Sequence, residues 1–282
     1  MPRITLATCQ EWPIPIVDEP LRKVLMARGH TVHSTPWNGV QDTFYDADIV
    51  VIRACWDYSQ SPHEFAEWIG SLEHASVRLH NPPDVIRWNM EKRYLLDLQA
   101  QGIHLPETVI IKVAQNEDVL TEIERHGWNE AVAKPLVGQG GLGVMRLHPQ
   151  HFDSWPQLSS GHQQIVLQEF RPEISTRDET LLVFFAGCFS HAIRRIVAPD
   201  EWRSNTRYGA RKVKCSVSSE IVRQAQEVLS VLTHTPLYAR VDGLIDDNTL
   251  TVMELELIEP DLGFAEVPGA TETFVRHIED QL

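Results

Sequence analysis

Two kinds of hydrophobic pattern alternate over the first part of the chain. The mostly apolar residues 4–7 predict a short buried strand, and the apolar run 49–52 within residues 47–52 predicts a strand buried on both faces, as in a parallel sheet. Apolar residues at helical spacing follow each run, over residues 21–28 and, after a Ser-x-x-Glu capping box, over residues 65–72. Strand, helix, strand and helix in this order are typical of a small α/β sheet with right-handed crossovers.

The pattern changes at residues 80–83, where the sequence His-Asn-Pro-Pro ends regular structure because consecutive prolines do not continue a strand or a helix. A helix is predicted at residues 90–100, with Asn89 as its cap. Beyond it, short apolar runs with few helices between them indicate an antiparallel α+β arrangement. The predicted strands cover residues 108–113, 131–134, 143–147, 165–170, 181–186, 237–244 and 250–257. The predicted helices cover residues 117–125, 218–233 and 273–282.

A glycine-rich loop follows one of these strands. Gly138, Gly140 and Gly143 match the pattern G-x-G-x-x-G, but the residues after Gly143 read as a strand, whereas a Rossmann dinucleotide site requires a helix there. Strand, glycine loop and strand form a hairpin, whose backbone N–H groups can cover phosphates. An ordinary glycine hairpin turn is the alternative. Lys134, just before the loop, favours the interpretation as a phosphate site.

Acidic residues alternate with apolar ones near the end of the chain. Glu254 and Glu256 occupy positions i and i+2 of a predicted strand, so both side chains project from the same face. Two neighbouring carboxylates repel each other unless a cation lies between them. Asp242 lies in a neighbouring predicted strand, and three such carboxylates are suitable ligands for Mg²⁺. An exposed, charged sheet face is the alternative.

The overall charge limits the class of partner. The 282-residue chain carries 39 acidic and 25 basic side chains, for a formal net charge of −14. This balance argues against nucleic acid and against an anionic membrane surface, because it implies no large basic face. No apolar run is long enough to span a membrane, no signal peptide is recognisable, and the four cysteines are too dispersed for a zinc ribbon. We therefore expect a cytoplasmic protein.

Basic residues nevertheless cluster locally, at Arg194 and Arg195 and again at Arg203 and Arg207. The planar guanidinium group binds carboxylates and phosphates in a bidentate manner. The cluster indicates either a site for an anionic small molecule or a set of ion pairs with surface acids.

Taken in chain order, these motifs resemble the ATP-grasp superfamily. The resembling segments are Lys92, Ala133-Lys134-Pro135 with the glycine loop, Leu167-Gln168-Glu169-Phe170, Trp202-Arg203-Ser204-Asn205, Asp242 and Glu254-x-Glu256. The resemblance implies an ATP-grasp fold of mixed α/β and α+β class, in which a small parallel N-terminal domain precedes two α+β subdomains that clasp ATP. The implied boundaries are residues 1–87 for the substrate domain, 88–170 for the lid with the glycine loop, and 171–282 for the subdomain with the metal site.

The resemblance also implies roles for individual residues. The phosphates of ATP are assigned to Lys92, Lys134 and the loop glycines Gly138, Gly140 and Gly141. The adenine is assigned to Gln168, Glu169 and Phe170, largely through their backbone, and the ribose to Glu173. One or two Mg²⁺ ions are assigned to Asp242, Glu254 and Glu256, with Glu256 where many members have Asn. The phosphate and acyl groups are assigned to Arg203 and Asn205, and Arg195, from the basic cluster, is a further candidate catalytic residue.

The reaction implied is ligation of a carboxylate to an amine through an acyl phosphate, with release of ADP. Residues 52–58, 81–95 and 253–260 further resemble a subfamily that includes the O-ureido-serine cyclo-ligase of cycloserine biosynthesis, in which both reacting groups lie in one small molecule. Asp261 and Gly263 depart from the pattern of that subfamily. An amino-acid-like substrate is assigned to Arg53, Trp56, Asp57, Tyr58 and Arg240, with Asp57 facing its ammonium group.

Three alternatives stay open on the sequence alone. They are an intermolecular peptide or amide ligase with two small substrates, a β-lactam-forming ligase, and a nucleotide-binding module without catalysis. The oligomeric state also stays open, with a homodimer as one alternative. The proline-rich segment 12–20 either lines a pocket or covers a sheet edge.

Overall fold

The computed structural model describes residues 1–13, 17–158 and 163–282. It contains three sheets, and the strands of each sheet lie within one of the three segments 1–87, 88–170 and 171–282. The exact domain boundaries stay a prediction. Residues 14–16 of the proline-rich segment 12–20 lie outside the described residues. Within the described ranges, no helix combines the length and the apolar character needed to cross a bilayer.

The N-terminal sheet has four parallel strands, which confirms the α/β prediction for this part of the chain. In sheet order, the strands are β2 (Thr31–Pro36), β1 (Arg3–Thr8), β3 (Ile49–Ala54) and β4 (Leu79–His80). The helices between them are α1 (Glu19–Ala27), α2 (Asp42–Tyr45) and α3 (Pro62–His74). Every residue of β3 is buried, as a continuous apolar run in a parallel sheet requires. The sequence did not predict β2, because polar residues dominate this edge strand.

Two short helices replace the single helix predicted at residues 90–100. They are α4 (Pro83–Met90) and α5 (Tyr94–Ala100). Glu91 separates them with an extended backbone conformation, and the N–H of Lys92 donates to the carbonyl oxygen of Leu136 at 2.8 Å. Asn89 is not a cap: it lies inside α4, and its side chain bonds the backbone of Leu255 and Leu257. The break therefore fixes Lys92 beside the glycine loop.

The rest of the chain forms two antiparallel sheets, as the α+β prediction requires. The four-stranded sheet has the order β5 (Thr108–Val113), β8 (Gln163–Glu169), β6 (Ala131–Pro135) and β7 (Met145–Leu147), with helix α6 (Asn116–His126). The five-stranded sheet has the order β11 (Arg211–Cys215), β10 (Cys188–Ile196), β9 (Glu179–Phe185), β12 (Tyr238–Asp246) and β13 (Thr249–Glu256). The remaining α-helices are α7 (Ile174–Arg177), α8 (Ser219–Leu229) and α9 (Ala270–Glu279).

One hydrophobic cluster joins the N-terminal sheet to the five-stranded sheet. It contains apolar side chains of β1, β3 and β9, and helices α1 and α9 contribute to it. Arg53 is also buried beside this cluster, with 1% of its surface exposed. Its Nε and Nη2 atoms donate to Asp18 at 3.1 and 3.0 Å, and its guanidinium group lies 5.3 Å from the ring centroid of Tyr238. The structure thus places Arg53 in an internal ion pair, away from the position expected for a substrate ligand.

We expect Arg53→Met to lower the free energy of unfolding by about 3–5 kcal/mol, because it leaves the buried carboxylate of Asp18 without its cation. Urea denaturation followed by circular dichroism measures the change. Arg28→Met is the matched control, since Arg28 pairs with Glu279 at the surface and such pairs contribute about 0–1 kcal/mol. Equal losses in the two variants would contradict the structural role of the buried pair.

Candidate active site

A deep cleft separates the four-stranded sheet from the five-stranded sheet. Its lining combines apolar side chains with a few charged and polar ones, as small-molecule sites do. One end of the cleft is apolar and the other end is charged. The cleft is lined by most of the nucleotide residues predicted from the sequence, namely Lys92, Lys134, Gly138, Gly140, Gly141, Gln168, Glu169 and Phe170. It is also lined by the predicted catalytic residues Arg195, Arg203 and Asn205.

The apolar end consists of side chains from both sheets and from α7. Val132, Phe170 and Ile174 form a hydrophobic cluster with the partly buried Trp202 and Met253. The rings of Phe170 and Trp202 meet edge to face, with centroids 5.9 Å apart. A flat aromatic group can therefore be sandwiched here between apolar surfaces.

Most backbone N–H groups beside the apolar end already donate hydrogen bonds within the protein. The N–H groups of Glu169 and Phe170 donate to the carbonyl oxygens of Glu107 and Glu130, at 3.1 and 3.0 Å. Pro172 has no N–H group, and the N–H of Arg171 has no hydrogen-bond partner among the described residues. The structure thus leaves one backbone donor at the rim of the apolar end. The side chain of Gln168 is held inside the sheet, where its Nε2 donates to Thr108 at 2.7 Å.

The glycine loop connects the antiparallel strands β6 and β7, so it is a hairpin loop and not the start of a helix. Gly140 and Gly141 have φ angles of +61° and +74°. A Cβ atom on Gly141 would lie 2.5 Å from Oδ1 of Asn205, and the hydroxyl of Tyr208 donates to the Gly141 carbonyl at 3.1 Å. Only glycine fits this close approach. The loop therefore closes the cleft against the segment that carries Arg203 and Asn205.

Four cations line the charged end of the cleft. Lys92 pairs with Glu254 at 2.5 Å, and Arg195 pairs with Glu179 at 3.0 Å. Arg203 pairs with Glu201 and lies over the ring of Tyr208. Lys134 forms no ion pair within the described ranges. Burial lowers the pKa of the Lys134 ammonium to about 8. The negative charge of Glu254 opposes this decrease, and the positive charge of Lys92 adds to it.

Three carboxylates meet beside these cations, as the strand alternation predicts. Asp242 lies opposite Glu254 in the β12–β13 ladder, and one oxygen each of Asp242, Glu254 and Glu256 lie within 4.8 Å of one another. The guanidinium group of Arg240 donates to both Asp242 and Glu256. Arg195 reaches Asp242 at 3.4 Å. A set of converging oxygen donors fits Mg²⁺, which prefers carboxylates to nitrogen or sulfur ligands.

Burial and neighbouring charges shift the pKa values of this cluster in opposite directions. Burial alone raises the pKa of Glu254, but the charges of Lys92 and Lys134 outweigh it and bring the value to about 2. Burial raises the pKa of Glu256 to about 7 despite the charge of Arg240, and Asp242 and Glu254 add to the rise. A divalent cation at this position would favour the ionised form of all three carboxyl groups.

A second, smaller cavity adjoins the nucleotide cleft on the side of the N-terminal sheet. It shares Lys92 and Glu254 with the cleft. Its further lining residues are Tyr58, Asn89, Tyr94, Gly138, Gln139, Leu255, Glu256 and Glu259. Burial raises the pKa of the Glu259 carboxyl to about 8, and the charge of Glu256 adds to this.

The residues predicted to bind the substrate lie in different places in the structure. Tyr58 lines the smaller cavity, and Arg240 lies in the carboxylate cluster. Trp56 instead donates to the carbonyl oxygen of Glu259 at 3.1 Å, and the Asp57 carboxylate accepts from Trp37 at 2.6 Å. Glu173, predicted to hold the ribose, is not among the lining residues of the cleft, and its carboxylate pairs with Arg171.

Sequence reasoning missed several lining residues. Glu179 begins β9 and pairs with Arg195, and Glu259 and Tyr94 line the smaller cavity. The sequence contains one feature that could have identified Glu259, because this acidic residue follows apolar residues and directly precedes a proline. Nothing in the local pattern distinguishes Glu179 or Tyr94 from ordinary strand and helix residues.

Comparison with protein families identifies the class of enzyme. Residues 94–260 match the ATP-grasp domain of prokaryotic glutathione synthetase, and residues 4–81 match the N-terminal domain of D-cycloserine synthetase DcsG. Because the first match covers more than half of the chain, the protein belongs to the ATP-grasp family. It is an ADP-forming ligase that uses ATP and Mg²⁺ to join carbon to nitrogen. This membership argues against the interpretation as a non-catalytic module.

Individual relatives match over nearly the whole chain. The cycloserine biosynthesis protein DcsG of Streptomyces lavendulae is 25% identical over 287 residues, which cover 96% of this chain and 95% of the relative. The crystal structure of D-cycloserine synthetase DcsG matches with a TM-score of 0.85 at 24% identity, over 99% of this chain and 100% of that chain. D-alanine–D-alanine ligase from Bacillus anthracis matches with a TM-score of 0.69 at 15% identity, over 100% and 97% of the two chains. These likenesses confirm the predicted ATP-grasp fold.

We expect the affinity for ADP to fall about tenfold between pH 7 and pH 9.5. Lys134 is charged below its pKa of about 8 and loses its charge as the pH rises, which removes one charge-assisted contact to phosphate. Isothermal titration calorimetry with Mg-ADP measures the affinity. Lys134→Arg keeps its charge and is expected to show a much smaller fall. An equal fall in both proteins would exclude Lys134 as the cause.

Proposed function

We propose that this ligase phosphorylates the carboxylate of a small amino acid and then closes a ring within the same molecule. The observation that carries the proposal is the similarity to the cycloserine biosynthesis protein DcsG, which extends over 96% of this chain and 95% of the relative. It includes the N-terminal domain, which matches that of D-cycloserine synthetase DcsG over residues 4–81 and contributes Tyr58 to the smaller cavity.

ATP binds in the larger cleft in this proposal. Its adenine lies between Phe170 and Met253 at the apolar end, and the free N–H of Arg171 donates to the edge of the base. Its phosphates extend to the charged end, where Lys92, Lys134 and the glycine loop surround them. Closure of the loop over the phosphates excludes water from the reacting groups.

Glu254 of the carboxylate cluster lines both cavities, and Glu256 lines the smaller one. Asp242, Glu254 and Glu256 would hold Mg²⁺, which neutralises negative charge on the phosphoryl group during transfer. Glu256 adds one negative charge compared with the Asn that is common in the family. The ion pair of Glu256 with Arg240 compensates for this charge.

The chemistry takes two steps. A carboxylate oxygen of the substrate first attacks the γ-phosphorus atom of ATP, the bond to the bridging oxygen breaks, and ADP leaves. An amine nitrogen of the same molecule then attacks the carbonyl carbon, a C–N bond forms, and inorganic phosphate and a proton leave. Arg203 and Asn205, held under the closed glycine loop, stabilise the negative charge that develops on phosphate and on the carbonyl oxygen.

An intermolecular ligase that joins two small substrates is the second candidate. It is favoured by the match of residues 94–260 to the ATP-grasp domain of glutathione synthetase and by the fold shared with D-alanine–D-alanine ligase. In this case the smaller cavity holds one substrate and the second enters from outside.

Incubation with Mg-ATP and single amino acids, including both enantiomers of O-ureidoserine, distinguishes the two candidates. We expect ADP and a ring-closed product, identified by mass spectrometry, from one compound alone. Glu254→Gln is the control for contaminating ATPase, because it removes a predicted metal ligand, and we expect at least a 100-fold loss of ADP release. ADP formation only with pairs of compounds would overturn the cyclisation and support the intermolecular ligase.

A further inference from the structure

Glu259 is an unusual side chain in the smaller cavity, because it is buried and has no cationic partner among the described residues. Only 8% of its surface is exposed. Two other carboxylates line the same cavity, and each has a cation: Glu254 pairs with Lys92, and Glu256 pairs with Arg240. Within the described part of the chain, the Glu259 carboxylate accepts only from its own backbone N–H. A buried carboxylate is costly unless a cation or several donors compensate it.

The backbone around Glu259 is held by side chains from two sheets. The indole of Trp56 donates to the carbonyl oxygen of Glu259 at 3.1 Å, and Arg53 donates to that of Pro260 at 2.9 Å. The hydroxyl of Tyr238 lies 2.7 Å from the carbonyl oxygen of Ile258. Three consecutive residues are therefore fixed by hydrogen bonds from distant parts of the chain. Such support is typical of a side chain that must be held in position for a ligand.

We propose that Glu259 binds the α-ammonium group of the substrate and thereby selects free α-amino acids over N-acylated amino acids and α-hydroxy acids. The inference rests on the proposed function, since it takes the smaller cavity as the substrate site. An ammonium group supplies the positive charge that Glu259 lacks. Lys92 and Glu254 line both this cavity and the nucleotide cleft, so in the proposed function the reacting carboxylate lies beside them.

Asp57 was the sequence-based candidate for this role. Its carboxylate already accepts a hydrogen bond from the indole of Trp37 at 2.6 Å, and it does not line the smaller cavity. Glu259 has neither restriction, so the structure favours it as the ligand for the ammonium group.

Binding measured without turnover tests this assignment separately from the reaction. The probes are serine, alanine and O-ureidoserine, in both enantiomers, each compared with its N-acetyl derivative and with its α-hydroxy acid counterpart. Affinities are measured by isothermal titration calorimetry in the presence of Mg-ADP. We expect at least one free amino acid to bind the wild-type protein about 10- to 100-fold more tightly than its two counterparts. We expect Glu259→Gln to reduce this preference to less than about threefold while the affinity for Mg-ADP stays unchanged.

Two further variants complete the experiment. Glu73→Gln changes an exposed glutamate that pairs with Arg87 at the surface, and it is expected to keep the full preference. Asp57→Asn tests the competing position. The proposal is overturned if no amino acid binds better than its counterparts, if Glu259→Gln keeps the preference, or if Asp57→Asn abolishes it instead. A preference that depends on Glu259, together with ADP release only from pairs of substrates, would refute the cyclisation and leave this inference intact.

Discussion

The compensation of three clustered carboxylates by cations from distant segments is the interaction on which the active site depends. Asp242 is buried and Glu254 and Glu256 are partly buried, and three negative charges cannot lie this close together unless positive charge surrounds them. Lys92 provides it from the break between α4 and α5, Arg195 from the end of β10, and Arg240 from β12 itself. The same cations face the nucleotide cleft or the carboxylate cluster. One set of ion pairs therefore holds the site together and prepares it for phosphate and Mg²⁺.

The sequence was informative where local periodicity decides the outcome. Alternation in the last strand placed Glu254 and Glu256 on one face, and the apolar run after Gly143 correctly indicated a strand and so argued against a Rossmann site. Local patterns failed where a residue's partner lies far along the chain. Asn89 has the composition of a helix cap, but the backbone it bonds is more than 160 positions away. The edge strands β2 and β11 carry too few apolar residues to be recognised.

The predicted substrate residues show the same limitation more sharply. Arg53, Trp56 and Asp57 follow a buried parallel strand, where ligands often bind in α/β sheets. The structure uses Arg53 and Trp56 to hold the backbone of residues 259 and 260, while Asp57 pairs with Trp37. These contacts connect the N-terminal sheet to the loop after β13. A residue type that suits ligand binding can instead hold a neighbouring residue in place. Only the folded structure distinguishes these two roles.

The central claim is that the enzyme activates a carboxylate by phosphorylation before an amine of the same molecule attacks it. Transfer of oxygen from the substrate to phosphate tests this claim most directly. The amino acid found to support ADP release is labelled with ¹⁸O in its carboxylate and converted with unlabelled ATP. Mass spectrometry of the inorganic phosphate should show one ¹⁸O atom for each ring-closed product. Phosphate that contains no ¹⁸O would contradict the acyl phosphate and with it the proposed course of the reaction.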